Sequence, residues 1–339
     1  MRSVLRRLLW ILLVLALSLA ALLLLGEGMR RQRENLPADA LAPSTGRWIQ
    51  AADSSLFIQQ WGPSDGPLLL LVHGTGAWSG TWFELPEVLA AAGWRVVAVD
   101  LPPFGFSRSS LATPDYSRAA QAARLLALAD ALGARDVSLL GHSFGAGPAL
   151  EAALRGQGRW RRLILVDPAL GLGEAGEPPA CAAPGFLATA LARPLIGRTL
   201  VGALVTQPSL SSRWLRLFVH RKEAVTERRV RAYQQPFRRS DFSADLAAWA
   251  AVFAASSCES SALSLDPQRL SDWARNDVPV ALIWGEQDTI TPLAQARALQ
   301  RWLPQARLTV LPDVGHIPHI EAPAAFAKVL LEAAGAVSR

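Results

Sequence analysis

Val137-Ser138-Leu139-Leu140-Gly141-His142-Ser143-Phe144-Gly145-Ala146 is the stretch on which the reading of this chain turns. A short apolar run, Val137–Leu140, ends on Gly-His-Ser-Phe-Gly, and a helical pattern, Ala146–Arg155, begins directly after it. Strand, tight turn and helix in that order make a G-x-S-x-G nucleophile elbow. The turn leaves no room for side chains beside the serine, which accounts for Gly141 and Gly145. Ser143 would stand in strained backbone geometry with its oxygen above the sheet. The helix opening there aims backbone N–H groups at developing negative charge. The bland alternative is a glycine-rich turn with an incidental serine; the strand-to-helix junction argues against it.

Working outward, similar apolar runs recur at Leu68–Val72, Val96–Val99, Leu163–Val166, Val280–Trp284 and Leu308–Leu311. Runs this short, bounded by Gly, Pro or Asp, fit strands buried on both faces. Helical patterns lie between them at Phe83–Ala92, Ser117–Leu132, Pro292–Leu303 and Ala324–Ala333, with Gly133 as a stop signal. The alternation predicts a doubly wound, mostly parallel α/β sheet. It breaks between 170 and 272, a stretch rich in Ala, Leu, Arg and Pro that reads as a helical cap. The expected core is therefore 47–169 together with 273–339. Residues 220–240 carry seven basic and two acidic side chains. That charge reads as a solvated helix face, with contact to anionic lipid headgroups as the sharper alternative.

A serine hydroxyl needs a base at neutral pH. Of the five histidines, His142 adjoins Ser143 and should point away from it, His73 sits in an early glycine loop, and His220 lies in the insertion. His316 follows the last strand run, at the carboxyl edge where chemistry gathers in this architecture, and is the candidate base; His319 is the rival. The third member must orient the imidazole. Asp288, just past Val280–Trp284, is the candidate, with Glu286 and Asp167 as rivals. Chain order is then Ser143, Asp288, His316. An oxyanion hole needs two N–H donors. Phe144 would give one, and the loop His73-Gly74-Thr75-Gly76 the other, from Thr75 first and Gly76 second.

The 339 residues are 51% hydrophobic and 18% charged, too apolar for a disordered chain. Residues 1–33 hold six arginines and one glutamate, and so +5 of the net +6; a nucleic-acid partner loses its main support. Leu8 to Leu25 is an uncharged run of 18 residues, just long enough to span a bilayer. It predicts one N-terminal transmembrane helix within an anchor of residues 1–33, followed by a polar tether, 34–46. A cleaved signal peptide is the competing reading, with Gly26-Glu27-Gly28 a poor cleavage site. The arginines tie at three on each side, and the free amino terminus tips the catalytic domain outside the cytoplasm. Cys181 and Cys258 then have the choice between a disulfide and two free thiols.

Taken together, HGTG at 73–76, DLPPFGFS at 100–107, GHSFG at 141–145, GEQDTITP at 285–292 and GHIPHIEAP at 315–323 resemble the α/β-hydrolase superfamily in its capped branch. The stretch HGTGA is also similar to hydrolase-like proteins encoded with magnesium chelatase. The resemblance spans about 48–335 and implies the α/β-hydrolase fold, a Ser-Asp-His triad and a lid between the sixth and seventh strands. Pro103 departs from the family, which carries Gly there; a stiffer loop is implied. Relatives with an aspartate nucleophile make an alkyl-enzyme ester; Ser143 implies acyl chemistry instead. No cofactor or metal is implied.

Three functions compete. The first is a membrane-anchored serine hydrolase for an ester, thioester or lactone of a hydrophobic, lipid-like acyl group. The second keeps the triad and cleaves a carbon–carbon bond, or runs a peroxidase-type reaction. The third is a hydrolase-shaped binding or assembly protein. An intact triad has no physical purpose in the last.

Overall fold

The computed structural model describes residues 2–156, 158–173, 177, 183, 185–255, 262–275 and 278–335. Cys181 and Cys258 lie outside them, and with them the question of their pairing. Among the described residues, nine strands form one sheet: β1 (Gly46–Ala51), β2 (Ser54–Trp61), β3 (Leu68–Val72), β4 (Arg95–Val99), β5 (Arg108–Ser109), β6 (Val137–His142), β7 (Trp160–Val166), β8 (Val280–Gly285) and β9 (Arg307–Leu311). The spatial order is β1-β2-β4-β3-β6-β7-β8-β9, with β5 on β2. From β4 through β9 every pairing is parallel; β1, β2 and β5 form an antiparallel edge. The fold is thus α/β with a mostly parallel sheet.

All six apolar runs are strands, because a strand covered on both faces needs apolar residues at every position. Leu68–Val72 is fully buried in this way. The edge strands β1 and β2 were not among the expected runs. β1, Gly46–Ala51, is mostly exposed or half-buried and carries Arg47 and Gln50, so no continuous apolar run marks it.

Beside a single turn at Ala38–Leu41, the helices among the described residues are α1 (Arg2–Arg33), α2 (Leu85–Ala91), α3 (Arg118–Ala131), α4 (Ala146–Arg155), α5 (Phe186–Leu191), α6 (Pro194–Leu204), α7 (Pro208–Phe218), α8 (Glu227–Gln234), α9 (Phe242–Ala255), α10 (Pro267–Trp273), α11 (Leu293–Trp302), α12 (Pro318–Glu321) and α13 (Pro323–Ala334). Ser117 caps α3, its hydroxyl accepting from Ala120 N–H at 3.1 Å, and Gly133 ends it at φ +64°. Helices α5–α10 fall between β7 and β8. One buried cluster joins Val72, Leu139 and Leu165 of the sheet to Leu246 and Trp249 of α9, so that cap and core share a hydrophobic interior.

Three expectations need correction. Counted over the described residues, no helix is long and apolar enough to cross a membrane, and the transmembrane span expected at Leu8–Leu25 is not supported. The 18-residue run on which it rested lies within α1, but side chains 8, 9, 12, 15, 16, 19 and 22 fall outside the description. The stretch 34–46 is tied down rather than free. Leu36 N–H donates to Arg238 O at 3.2 Å, Ser240 N–H to Leu36 O at 2.8 Å, and Glu34 is buried. The basic stretch 220–240 is likewise not one solvated face. Arg239 is fully buried against Asp245 at 3.0 Å, and Arg229 donates to Ala224 O and Ile320 O.

Candidate active site

The turn from β6 into α4 places Ser143 at φ +51°, in the left-handed region that a non-glycine residue adopts only when its surroundings impose it. The glycines make that possible. A Cβ on Gly145 would stand 2.4 Å from His73 O, and one on Gly141 2.6 Å from Ala146 Cα. Gly74 passes as close on the other side, where a Cβ would meet Ser143 Cβ at 3.0 Å. The glycine loop after β3 is thereby pressed against the serine, and Thr75, Gly76 and Ser143 line one cavity.

Ser143, Asp288 and His316 come together from the ends of β6, β8 and β9. His316 Nε2 lies 2.8 Å from Ser143 Oγ, and His316 Nδ1 lies 2.7 Å from Asp288 Oδ2. Asp288 is held in turn by the N–H groups of Ile290 (2.7 Å) and Thr291 (3.0 Å) and by the Thr291 hydroxyl (2.6 Å). Burial works to raise the Asp288 pKa, but hydrogen bonds from His316 and Thr291 outweigh it, and the carboxyl sits below its ordinary value. An ionised Asp288 selects the tautomer with the proton on His316 Nδ1, which leaves Nε2 free to accept from the serine. All three are buried, Ser143 at 4%, His316 at 1% and Asp288 at 5% exposed. The cap covers them: His316 N–H donates to Phe218 O of α7 at 3.1 Å.

The rivals are engaged elsewhere. His319 is buried against Trp82, ring centroids 4.7 Å apart, and burial holds its pKa well below normal. Glu286 is exposed and accepts from Asp313 N–H at 3.3 Å. Asp167 ends β7 at φ +43° and accepts from Gly285 N–H at 2.8 Å. Burial, then the neighbouring Asp288 charge, push its carboxyl well above the usual range. His142 turns away from Ser143 as expected, its Nε2 2.8 Å from His316 O; burial, then repulsion from His316, bring its pKa down to about 3. His73 accepts from Leu101 N–H at 3.0 Å and is brought down to about 4 by burial.

Two groups lie in the quoted sequence segments without a role assigned to them there. Asp100 is buried and accepts from Ser79 N–H (2.6 Å) and Phe106 N–H (2.8 Å), bracing the loops after β3 and β4; burial raises its pKa to about 6. Glu321 collects backbone N–H groups around the histidine loop. The D-x-P and G-H-x-x-x-x-E patterns were signals for both.

Two cavities meet at Thr75, Ser143 and Phe218. One, of about 210 Å³, is walled by Trp214, Leu215, Phe218, Tyr233 and Phe237, with no Asp, Glu, Lys or Arg among its described lining residues. The other, of about 530 Å³, is lined by Arg118, Leu170, Phe253, Thr291 and Gln295.

An elbow serine beneath a helical cap on a mostly parallel sheet defines an α/β-hydrolase, and the sequence model for the α/β hydrolase fold matches residues 67–323. The chain belongs to that family and is a hydrolase of that fold. Among its relatives is the 2-hydroxymuconate semialdehyde hydrolase of Pseudomonas putida, 29% identical over 85% of this chain and 94% of that one. Among solved structures, a 2-hydroxy-6-oxo-6-phenylhexa-2,4-dienoate hydrolase from a Rhodococcus strain is similar with a TM-score of 0.64, at 21% identity over 85% of this chain and 97% of its own. A bacterial membrane phospholipase A is similar with a TM-score of 0.61, at 25% identity over 96% of both chains.

Proposed function

We propose that this chain is a serine hydrolase for an ester, thioester or lactone of a hydrophobic acyl group. The observation that carries it is the unbroken hydrogen-bonded series Ser143 Oγ, His316, Asp288, opening into an apolar cavity. His316 Nε2 takes the hydroxyl proton as Ser143 attacks the carbonyl carbon. Asp288 stabilises the imidazolium, and the N–H groups of Thr75 and Phe144 receive the oxyanion. His316 then protonates the leaving group, and water, activated by the same histidine, releases the acid from the acyl-enzyme. The acyl chain lies along Trp214, Leu215 and Phe237. Burying such a chain contributes about 0.8 kcal/mol per methylene.

Attachment to a membrane belongs to this reading. Trp10, Ile11, Leu13, Val14, Leu17, Leu24 and Leu25 of α1 are exposed, and Arg6 and Arg7 precede them. A match through 96% of the chain reaches into α1, and it is to a membrane phospholipase.

A second reading is carbon–carbon bond hydrolysis of a dienoate ketone, and sequence similarity lends it the broader support, through relatives such as the Pseudomonas putida enzyme. Arg118 and Gln295 in the larger cavity suit a carboxylated chain. The decisive assay compares kcat/KM for p-nitrophenyl esters of graded acyl length with that for 2-hydroxy-6-oxo-6-phenylhexa-2,4-dienoate, beside a Ser143→Ala control. Ester turnover that climbs with chain length and exceeds dienoate turnover about 100-fold is expected. The reverse ranking overturns the ester reading in favour of the second.

A further inference from the structure

We propose that Glu321 is a positioning residue that ties the cap to the histidine loop and so holds His316 in line with Ser143; the proposal rests on the triad reading above. Glu321 closes the short helix α12, five residues past His316, and is buried. Its carboxylate accepts four backbone N–H groups from two separate segments. From the histidine loop come Gly315 at 3.0 Å and Ile317 at 3.1 Å, the residues on either side of His316. From the cap come His220 at 2.8 Å and Arg221 at 2.9 Å, just past the end of α7.

The two segments touch closely. A Cβ on Gly315 would stand 2.5 Å from His220 N and 3.0 Å from Glu321 Oε1, so this position has room for glycine alone. Two more bonds hold the His316 backbone itself: its N–H donates to Phe218 O at 3.1 Å, and its carbonyl meets His142 Nε2 at 2.8 Å. Phe218 lines both cavities, with its ring 5.9 Å from that of His316. A substrate filling either cavity therefore touches the cap segment that Glu321 fastens to the catalytic loop.

Only a carboxylate suits this place. All four partners are donors, and both of its oxygens accept. Oε2 accepts from Gly315, His220 and Arg221 and Oε1 from Ile317, so an amide must turn its NH₂ group toward at least the Ile317 N–H, beside His316, and release it. A displacement of about 1 Å at a reacting group can cost about 100-fold in rate. Glu321 touches no reacting atom, and its effect passes through the backbone of 315–317.

The test uses the full chain with Glu321→Gln and Glu321→Asp. Three quantities are read: the second-order rate of Ser143 labelling by a fluorophosphonate, the kcat and KM of the preferred substrate, and the thermal midpoint. At a temperature where each variant is fully folded, Glu321→Gln is expected to lose about 10- to 100-fold in both labelling and kcat, with KM within about threefold. Glu321→Asp keeps the charge one methylene short and is expected to recover part of the loss. Labelling of folded Glu321→Gln within twofold of the parent overturns the proposal, and so does an aspartate no better than glutamine. Should Glu321→Gln not fold, Glu321→Asp decides alone: a fall in kcat without a rise in KM supports the role, and parent-like kcat removes it. Labelling does not depend on which bond is cleaved. A parent chain that resists the probe condemns the triad reading, whereas a labelled parent with an indifferent Glu321 condemns only this one.

Discussion

The histidine loop and the junction between α1 and the cap both bury carboxylates, and they hold them with different partners. Around His316, Asp288 and Glu321 are held by backbone N–H groups, one threonine hydroxyl and the imidazole itself. At the junction, guanidinium groups hold Glu27 and Glu34, and Ser243 adds its N–H and hydroxyl to Glu34. Arg30 reaches Glu27 at 2.9 Å and Glu34 at 3.0 Å, with side-chain exposures of 5%, 9% and 0% for Arg30, Glu27 and Glu34. Arg33 adds Glu34 at 3.2 Å and Gly202 O of α6 at 3.1 Å. Bonds from Arg30, working against burial, bring Glu27 down to about 2.

The contrast has a physical reason. Dipolar donors place a carboxylate without adding a competing cation beside a histidine that must gain and lose a proton. Full ion pairs clamp more firmly, but they require that every charge in the set be matched, because an unpaired buried charge is costly. The site is thus positioned by dipoles, and α1 is fastened to the cap mainly by charged side chains.

The largest effects fall at the site. Ser143→Ala is expected to lower kcat by at least about 10⁴-fold while the thermal midpoint holds. Asp288→Asn is expected to cost about 10³- to 10⁴-fold through the wrong tautomer. Steady-state kinetics on the preferred substrate check both, and an active Asp288→Asn would pass the role to Asp167.

At the junction, Glu34→Ala strips a partner from Arg30, Arg33 and Ser243. The exposed imbalance should cost about 3–5 kcal/mol of local stability. Hydrogen exchange should quicken in α6 and α9, with Ser143 labelling within about threefold. Labelling that collapses alongside exchange would erase the distinction between clamp and site.

The smallest effect is the pH response of the whole fold. His73 and His142 have folded pKa values of about 4 and 3, below the ordinary 6.5. Their contribution is present above pH 6.5 and is lost as pH falls through those values. Asp100, raised to about 6, works oppositely: its contribution is present below the ordinary carboxylate value and is lost as pH rises through 6. The share of stability that His73 and His142 supply should fall as pH drops from 6.5 to 4. Thermal melts across that range test the sign, which a His73→Asn, His142→Asn pair should flatten.

By itself the sequence determined the sheet's centre, the elbow and the identity of the three residues that meet there. Leu68–Val72 and its counterparts are legible because double-sided burial demands apolar residues in unbroken runs. Gly141 and Gly145 are legible because a tight turn forbids a Cβ, a constraint carried by neighbours in the chain. The antiparallel edge β1 was silent, since an exposed strand has no such composition to show. Tertiary structure alone decided the docking of Glu34 and Arg33 against the cap, the second cavity, the burial of the triad beneath the cap and the bonds from the cap to Glu321. The bonds that cross from one segment to another join residues about a hundred or more positions apart, as Glu321 to His220 and Glu34 to Ser243, and no local pattern records which distant N–H group a carboxylate will meet.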